Sequence, residues 1–359
     1  MIHFHPLKIK EVTRETDDCV SVLFDVPDEL KGTFQFNQGQ SLTLKTMLNG
    51  EEVRRTYSIC SSPYDNQWRV AIKKVDGGVF STYANEQLKK NDVLDVMPPV
   101  GKFYTELKKD NKKNYVAFVA GSGITPVLSI IKATLKTEPE SSFTLVYGNR
   151  NKNSIIFKEE LEALKDKYIN RFRIYHVLSR EHTEAAINYG RIDKEKCALL
   201  FDKLINLENC DEFFICGPEQ MIFSVKDFLQ QKKVPERNIH FELFTIPGQK
   251  QSIKIKAEEA KEISGPQSKV SVKLDGIMFD FDLDYEGESI LDTALKQGAD
   301  LPFSCKGGVC CTCKAKLVQG EVEMDVNWGL EPEEVEAGFI LTCQSHPRTE
   351  RVIVDFDVK

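Results

Sequence analysis

The stretch LPFSCKGGVCCTC (301–313), followed after twenty-nine further residues by Cys343, decides how the last quarter of the chain must fold. Cys305, Cys310 and Cys313 stand in the order C-x4-C-x2-C, three thiols on one short loop with a fourth from a distant segment. Two irons bridged by sulfide need that three-plus-one supply of thiolates in a plant-type [2Fe–2S] centre. Structural zinc sites instead draw their ligands as two short pairs. Gly307 and Gly308 free the backbone to bend so that its N–H groups point at the sulfurs. Using Cys311 would give x5 and x1 spacings that fit no common ligand pattern, so it reads as a small thiol that does not ligate. The metal ligands expected are therefore Cys305, Cys310, Cys313 and Cys343.

The flanks supply a scaffold for that loop. Residues 270–274 and 277–283 alternate in polarity around Asp275-Gly276 and read as a hairpin. SILDTALKQ (289–297) reads as a short helix stopped by Gly298. Residues 314–318 and 351–355 read as further strands, and the acidic run 331–336 as a helix. Together they predict a β-grasp ferredoxin domain over 269–359.

A chain of 359 residues is long enough for two or three domains, each with its own core. It holds no run of eighteen apolar residues, and its opening MIHFHPLKIK lacks the apolar stretch of a signal peptide. No membrane association is expected, and the cytoplasm is the expected compartment. Of ten cysteines, the six outside the cluster set are scattered without framework spacing, as reduced thiols would be. The net charge of −7 is uneven: from Lys269 onward nine Lys and Arg face eighteen Asp and Glu. An acidic C-terminal domain on a near-neutral body argues against nucleic-acid binding and suits docking to a basic partner surface.

Upstream, residues 4–12, 19–26, 41–47 and 69–74 read as short alternating strands, which predicts an antiparallel barrel over 1–106. From 112 to 247 apolar strands (115–120, 143–147, 172–178, 212–216) alternate with helices (127–135, 157–167, 221–231), the pattern of a doubly wound parallel sheet. Residues 248–268 are polar, Lys- and Glu-rich, and read as a linker. The expected fold class is thus a multi-domain chain of α+β and α/β parts.

Two short motifs in the barrel fit a flavin. In Arg55-Thr56-Tyr57-Ser58, Arg55 suits a phosphate, Tyr57 an isoalloxazine face, and Ser58 a hydrogen bond near the reactive flavin nitrogen. Gly77-Gly78-Val79-Phe80-Ser81 leads a helix: Gly78 and Val79 offer amides to a pyrophosphate and Ser81 a further donor. In the α/β part the strand 115–120 runs into Gly121-Ser122-Gly123-Ile124-Thr125-Pro126 and a helix. Gly121 and Gly123 let a dinucleotide pyrophosphate reach the helix start, with Thr125 as donor and Pro126 in the first turn. The next strand ends at Arg150 with no acid for a ribose hydroxyl, so NADPH is favoured over NADH. Cys216-Gly217-Pro218 ends the last strand where a nicotinamide would approach the flavin. Cys216 packs beside the ring there and is expected to act by position, not as a nucleophile. His240, Glu242 and Phe244 follow, and Phe244 is the aromatic expected to cover the flavin. Ser58 and Cys216 are the residues expected nearest the reacting atoms.

RRTYSIC (54–60), AGSGITPVL (120–128), TLVYGNR (144–150), FICGPEQM (214–221) and LPFSCKGGVCCTC resemble the ferredoxin–NADP⁺ reductase superfamily joined to a plant-type ferredoxin. More closely, the chain is similar to the reductase subunits of ring-1,2-phenylacetyl-CoA epoxidases. The resemblance covers essentially the whole chain and implies FAD, NADPH, a [2Fe–2S] cluster, and electron delivery to a di-iron oxygenase in phenylacetate catabolism. A flavin is expected between nucleotide and cluster because the one gives two electrons at once and the other accepts one. Cys311 departs from the small alanine-like residue that the resemblance leads one to expect. A reductase for another dioxygenase or hydroxylase, and a non-catalytic ferredoxin-like carrier, are the alternative readings.

Overall fold

The computed structural model describes residues 3–244 and 266–358, which fall into two compact units. The first unit holds two sheets. One is antiparallel, in the order β4-β3-β6-β1-β2-β5, from β1 (His5–Thr16), β2 (Cys19–Asp25), β3 (Ser41–Leu48), β4 (Glu51–Ser58), β5 (Trp68–Lys73) and β6 (Val93–Val96). A bridge from Ile59 to Val70 joins the outermost strands and closes the sheet into a barrel around Leu7, Val22, Phe24, Leu44, Ile72 and Val96. Between β5 and β6, α1 (Val79–Glu86) plugs one end with Phe80 and Ala84 buried.

The other sheet of this unit is parallel, in the order β11-β10-β7-β8-β9. Its strands are β7 (Asn114–Ala120), β8 (Ser142–Asn149), β9 (Phe172–Leu178), β10 (Glu212–Cys216) and β11 (Ile239–Glu242). The helices are α2 (Ile124–Thr137), α3 (Lys158–Lys167), α4 (Lys194–Lys203) and α5 (Glu219–Gln231). Strand β7 is apolar on both faces because both are covered: Tyr115, Ala117 and Val119 join the core with α2, while Phe118 meets Phe201 of α4. The chain turns one way from β7 to β8 and the other way to β10, so a crevice must open at the carboxyl ends of β7 and β10. Barrel and sheet are fastened by Ser129, whose hydroxyl donates to the Ser61 carbonyl at 2.7 Å, by Arg69, which pairs with Glu160, and by Lys132, which pairs with Asp65.

The second unit carries a mixed sheet, β13-β12-β18-β14-β16, and a small pair, β15 with β17. β12 (Gln267–Leu274) and β13 (Ile277–Asp284) form the hairpin expected at Asp275-Gly276; both turn residues have positive φ (52° and 77°), as a tight right-twisting hairpin turn requires. α6 (Ile290–Lys296) is capped by Ser289, whose hydroxyl accepts the Asp292 N–H at 3.2 Å, and is followed by Gly298 at φ 89°. β14 (Lys314–Gln319), β15 (Val322–Met324), α7 (Pro332–Glu336), β16 (Phe339–Leu341), β17 (Ser345–Pro347) and β18 (Arg351–Asp355) complete it. Most of the expected linker lies outside the described residues, and its last two, Gln267 and Ser268, already pair with Asp284 and Leu283. Strands β4, β6, β11 and β15 to β17 and helix α4 are elements that the polarity pattern did not announce. All are short or carry charged residues along them.

Candidate active site and cluster loop

β4 brings Tyr57 and Ser58 to the barrel rim by simple alternation. Arg55 is exposed, with its guanidinium donating to the Arg54 carbonyl at 2.7 Å; Tyr57 is half-buried, 5.7 Å from the Phe80 ring; Ser58 is buried. Gly78 caps α1, and a side chain there would come within 2.5 Å of Ser81 Oγ, which accepts the Val75 N–H at 3.1 Å. Val79 begins α1 and is exposed.

The Ser58 hydroxyl donates to Glu242 Oε2 at 3.2 Å. Glu242 pairs in register with Cys216, so β11 delivers a carboxyl to the point where the barrel rim meets the carboxyl end of β10. Burial pushes that carboxyl up to about 8, although the Ser58 bond pulls the other way. Burial, with Glu242 beside it, also drives the Cys216 thiol well up, so Cys216 stays protonated and is a packing neighbour, not an attacking thiolate. Phe244, two residues further on, is 40 % exposed. In the sequence Glu242 was only a polar residue between His240 and Phe244, in a stretch whose polarity pattern announced no strand. Its partner lies 184 positions away.

Across the crevice, Gly121–Gly123 leads into α2. A Cβ on Gly123 would stand 2.1 Å from the Cys216 carbonyl oxygen, and one on Gly217 would press on Met221 and Ala120. The two strand ends thus touch through glycines, and a side chain at either position would push them apart. Tyr147 donates its buried hydroxyl to the Gly121 carbonyl at 3.0 Å and braces the turn from below. Thr125 is buried and donates to the Ser122 carbonyl at 3.0 Å; Pro126 lies in the first turn of α2, and Pro218 caps α5. Lys73, on β5, reaches the same turn: its Nζ stands 3.9 Å from where a Gly121 Cβ would be. No sequence motif pointed to Lys73, since it belongs to the other sheet.

At the far end of the crevice, β8 and β9 continue pairing past their strands. The Arg150 carbonyl accepts the Arg180 N–H at 2.8 Å, which sets two arginines side by side. Tyr189, 38 % exposed, stacks on His182 with centroids 4.5 Å apart. Arg180 and Tyr189 follow β9 in a loop whose role sequence reading alone did not find.

In the second unit the four expected thiols form two pairs. Cys305 and Cys310 stand with sulfurs 3.1 Å apart, and Cys313 hydrogen-bonds Cys343. One pair for each of two irons is what a [2Fe–2S] cluster asks of its ligands. The Cys310 thiol and the N–H groups of Gly307, Cys310 and Val309 hold the Cys305 thiol below its ordinary value against burial. Lys306 and Gly308 have φ of 50° and 70°. Cys311 turns away from both pairs and donates to the Gly329 carbonyl at 2.6 Å.

Residues 6–104 match the oxidoreductase FAD-binding domain family, 118–227 the oxidoreductase NAD-binding domain family, and 272–348 the 2Fe-2S iron-sulfur cluster binding domain family. The whole chain is 45 % identical to one of the subunits of the 1,2-phenylacetyl-CoA epoxidase of Escherichia coli K12, covering 99 % of it. Over 98 % of its length it is 33 % identical to the ferredoxin reductase component of a 3-ketosteroid-9-alpha-monooxygenase from Rhodococcus rhodochrous, covering 96 % of that protein. Phthalate dioxygenase reductase shares the fold at a TM-score of 0.60 and 24 % identity, over 98 % of both chains. The antiparallel, parallel and C-terminal sheets expected from sequence are all present. No helix among the described residues is long and apolar enough to cross a membrane.

Proposed function

The chain belongs to the family of oxygenase reductase components that carry FAD-binding, nicotinamide-nucleotide-binding and [2Fe–2S] domains, and we propose that it draws electrons from NADPH and delivers them to a phenylacetyl-CoA epoxidase. When bound, the flavin and the cluster supply the conversion of a two-electron donor into single-electron deliveries. The protein's own residues do the holding and positioning. Gly121, Gly123, Thr125, Pro126 and Lys73 form the cradle for the pyrophosphate; Gly217 and Pro218 leave room beside Cys216 for a flat ring. Arg55, Tyr57, Gly78, Val79 and Ser81 hold the flavin nucleotide, with Phe244 as its cover. Glu242 keeps its proton up to about pH 8, and at 3.2 Å it forms with Ser58 a two-residue relay that ends at Ser58 Oγ.

Support for NADPH comes from one observation, the pairing of Arg150 with Arg180 at the sheet edge. Two guanidinium groups suit a ribose phosphate better than a ribose hydroxyl, and the one acid beside them, Glu181, is taken up by Lys152, whose N–H it accepts at 2.8 Å and whose ammonium it pairs with at 3.2 Å. Replacing Arg150 or Arg180 by Ala is expected to raise KM for NADPH about tenfold while leaving KM for NADH within about twofold, since each removes a charge-assisted contact made only by the phosphate. Equal effects on the two nucleotides would remove the basis for this preference.

Support for the partner is the full-length likeness to a component of an epoxidase, together with the acidic charge of the C-terminal domain, which suits a basic docking surface. A cytoplasmic setting fits ten cysteines of which none forms a disulfide among the described residues. The purified chain is to be mixed with epoxidase components and, separately, with a steroid monooxygenase. NADPH consumption that depends on phenylacetyl-CoA supports the proposal; consumption only with the steroid system sinks it.

A further inference from the structure

Lys196 stands in the first turn of α4, where Asp193 accepts its backbone N–H at 2.8 Å. A cation at that end of a helix opposes the helix dipole, and lysines are seldom buried unless paired. Lys196 is nonetheless only 9 % exposed. Its ammonium has three donors, and the structure gives each a backbone carbonyl: Ala186 at 2.8 Å, Ile187 at 3.0 Å and Tyr189 at 2.8 Å. Those carbonyls belong to the single-turn segment Ala186–Asn188 and to Tyr189 just after it. From the other side Gly190 donates its N–H to the Leu178 carbonyl at 3.0 Å, and Tyr189 forms a parallel bridge with Leu178. The backbone under Tyr189 is therefore gripped by α4 and by β9 while its ring remains outside, faced by His182.

We propose that Lys196 is a positioning residue for the nucleotide: by binding three carbonyls it fixes the loop 182–190, so that Tyr189 is presented as a rigid stacking surface beside Arg150 and Arg180. The inference rests on the reading of those arginines as the adenosine-phosphate end. A loop ordered in advance does not have to be ordered by the ligand, and the saving appears as affinity. The chemistry after binding lies at Ser58, Cys216 and Glu242 and is untouched by it.

Lys196→Met keeps most of the aliphatic volume and removes the three donors. In the holoprotein we expect the NADP⁺ dissociation constant, by calorimetry, to rise about tenfold. Amide exchange in 183–190 should quicken while that of β7 and β10 stays as it was, and kcat at saturating NADPH with ferricyanide should hold. Lys196→Arg, which restores donors, should recover part of the affinity; Lys196→Gln serves in place of the Met variant if that one does not fold. Unchanged NADP⁺ affinity in the Met or Gln variant overturns the proposal. Tyr189→Ala separates the two layers. If it weakens NADP⁺ binding while Lys196→Met does not, the pin is wrong and the nucleotide reading stands. If neither variant binds more weakly, the reading of this loop fails and takes the pin with it.

Discussion

The turn Gly121–Gly123, proposed for the nucleotide, and the loop 305–313, proposed for the cluster, are both shaped by glycines that another stretch of backbone runs against, yet they differ in what they offer a ligand. At Gly123 the neighbour is the Cys216 carbonyl, 2.1 Å from a would-be Cβ; at Gly308 it is Val326, with side chain and carbonyl both at 2.9 Å. The cradle proposed at the turn is chiefly backbone placed by the register of two parallel strands, with the Thr125 hydroxyl and the Lys73 ammonium beside it. The loop offers four thiols of one chemical kind, paired two and two, which the cluster itself draws together on binding. A site made of backbone depends on the sheet around it, and a site made of side chains depends chiefly on its own loop.

Gly123→Ala is the hardest test of that contrast. The obstructing atom is a main-chain carbonyl of β10 and cannot swing aside, so the carboxyl ends of β7 and β10 must part. NADPH-dependent ferricyanide reduction is expected to fall by about a hundredfold or more, since an ångström of misplacement at a reacting site costs that much. Iron content and the visible spectrum of the cluster should not change. Wild-type KM and kcat in this variant would show that the strand ends are not locked together. Gly308→Ala is the mirror experiment with a smaller effect. A methyl at φ 70° costs about 1–2 kcal/mol of backbone strain and meets Val326 as well, so we expect iron occupancy to drop by roughly half with ferricyanide reduction retained. Damage to both activities in either variant would break the comparison.

The same division explains what could be read in the sequence. The two thiol pairs proposed for the cluster were legible because a cysteine stands out by identity and three of the four are spaced by one local loop. Gly121 and Cys216 were legible as ends of apolar strands that run into glycine turns, and Ser58 through the short motif Arg55-Thr56-Tyr57-Ser58. Glu242 was not assigned a role, because its role comes from a pairing with Cys216 across β10 and β11 and a hydrogen bond to Ser58 on another sheet. Lys73, Arg180 and Lys196 were missed for the same reason. Each is an ordinary charged residue until the fold brings it beside Gly121, beside Arg150, or under Tyr189.

Glu242 gives a smaller effect, read through pH. Replacing it by Gln is expected to lower kcat about tenfold near neutrality, a modest loss for a positioned acid. Wild-type kcat should decline as pH rises through about 8, where the carboxyl gives up its proton, while the Gln variant stays flat. Stability should respond with a defined sign. Between the ordinary value of 4.5 and about 8 the folded chain keeps a proton that the unfolded chain has released, so the unfolding free energy falls as pH rises across that window and levels off above it. Melting temperatures of flavin-stripped protein at pH 5 and pH 8 should differ more for wild type than for the Gln variant. A parallel loss in both would mean that Glu242 ionises normally.

The smallest expected effect falls on the side-chain half of the comparison, at Cys311. Its sulfur is one residue from Cys310 and two from Cys313, close enough in sequence to compete as a ligand, yet it donates to the Gly329 carbonyl at 2.6 Å. Gly329 in turn lies against the Cys310 carbonyl, 3.1 Å from a would-be Cβ, so the Cys311 bond fastens the cluster loop to the segment that crosses it. Cys311→Ala removes one weak sulfur hydrogen bond, worth less than about 1 kcal/mol. Iron per chain and cluster absorption should therefore match wild type, while Cys310→Ala and Cys313→Ala should each lose most of the iron. Air exposure sharpens the contrast: the extra thiol is a site for oxidation beside the cluster, so the Ala variant should keep its iron longer under peroxide than wild type does. Loss of iron from freshly prepared Cys311→Ala would mean that a thiol outside the C-x4-C-x2-C set ligates, and that the loop does not select its ligands by spacing.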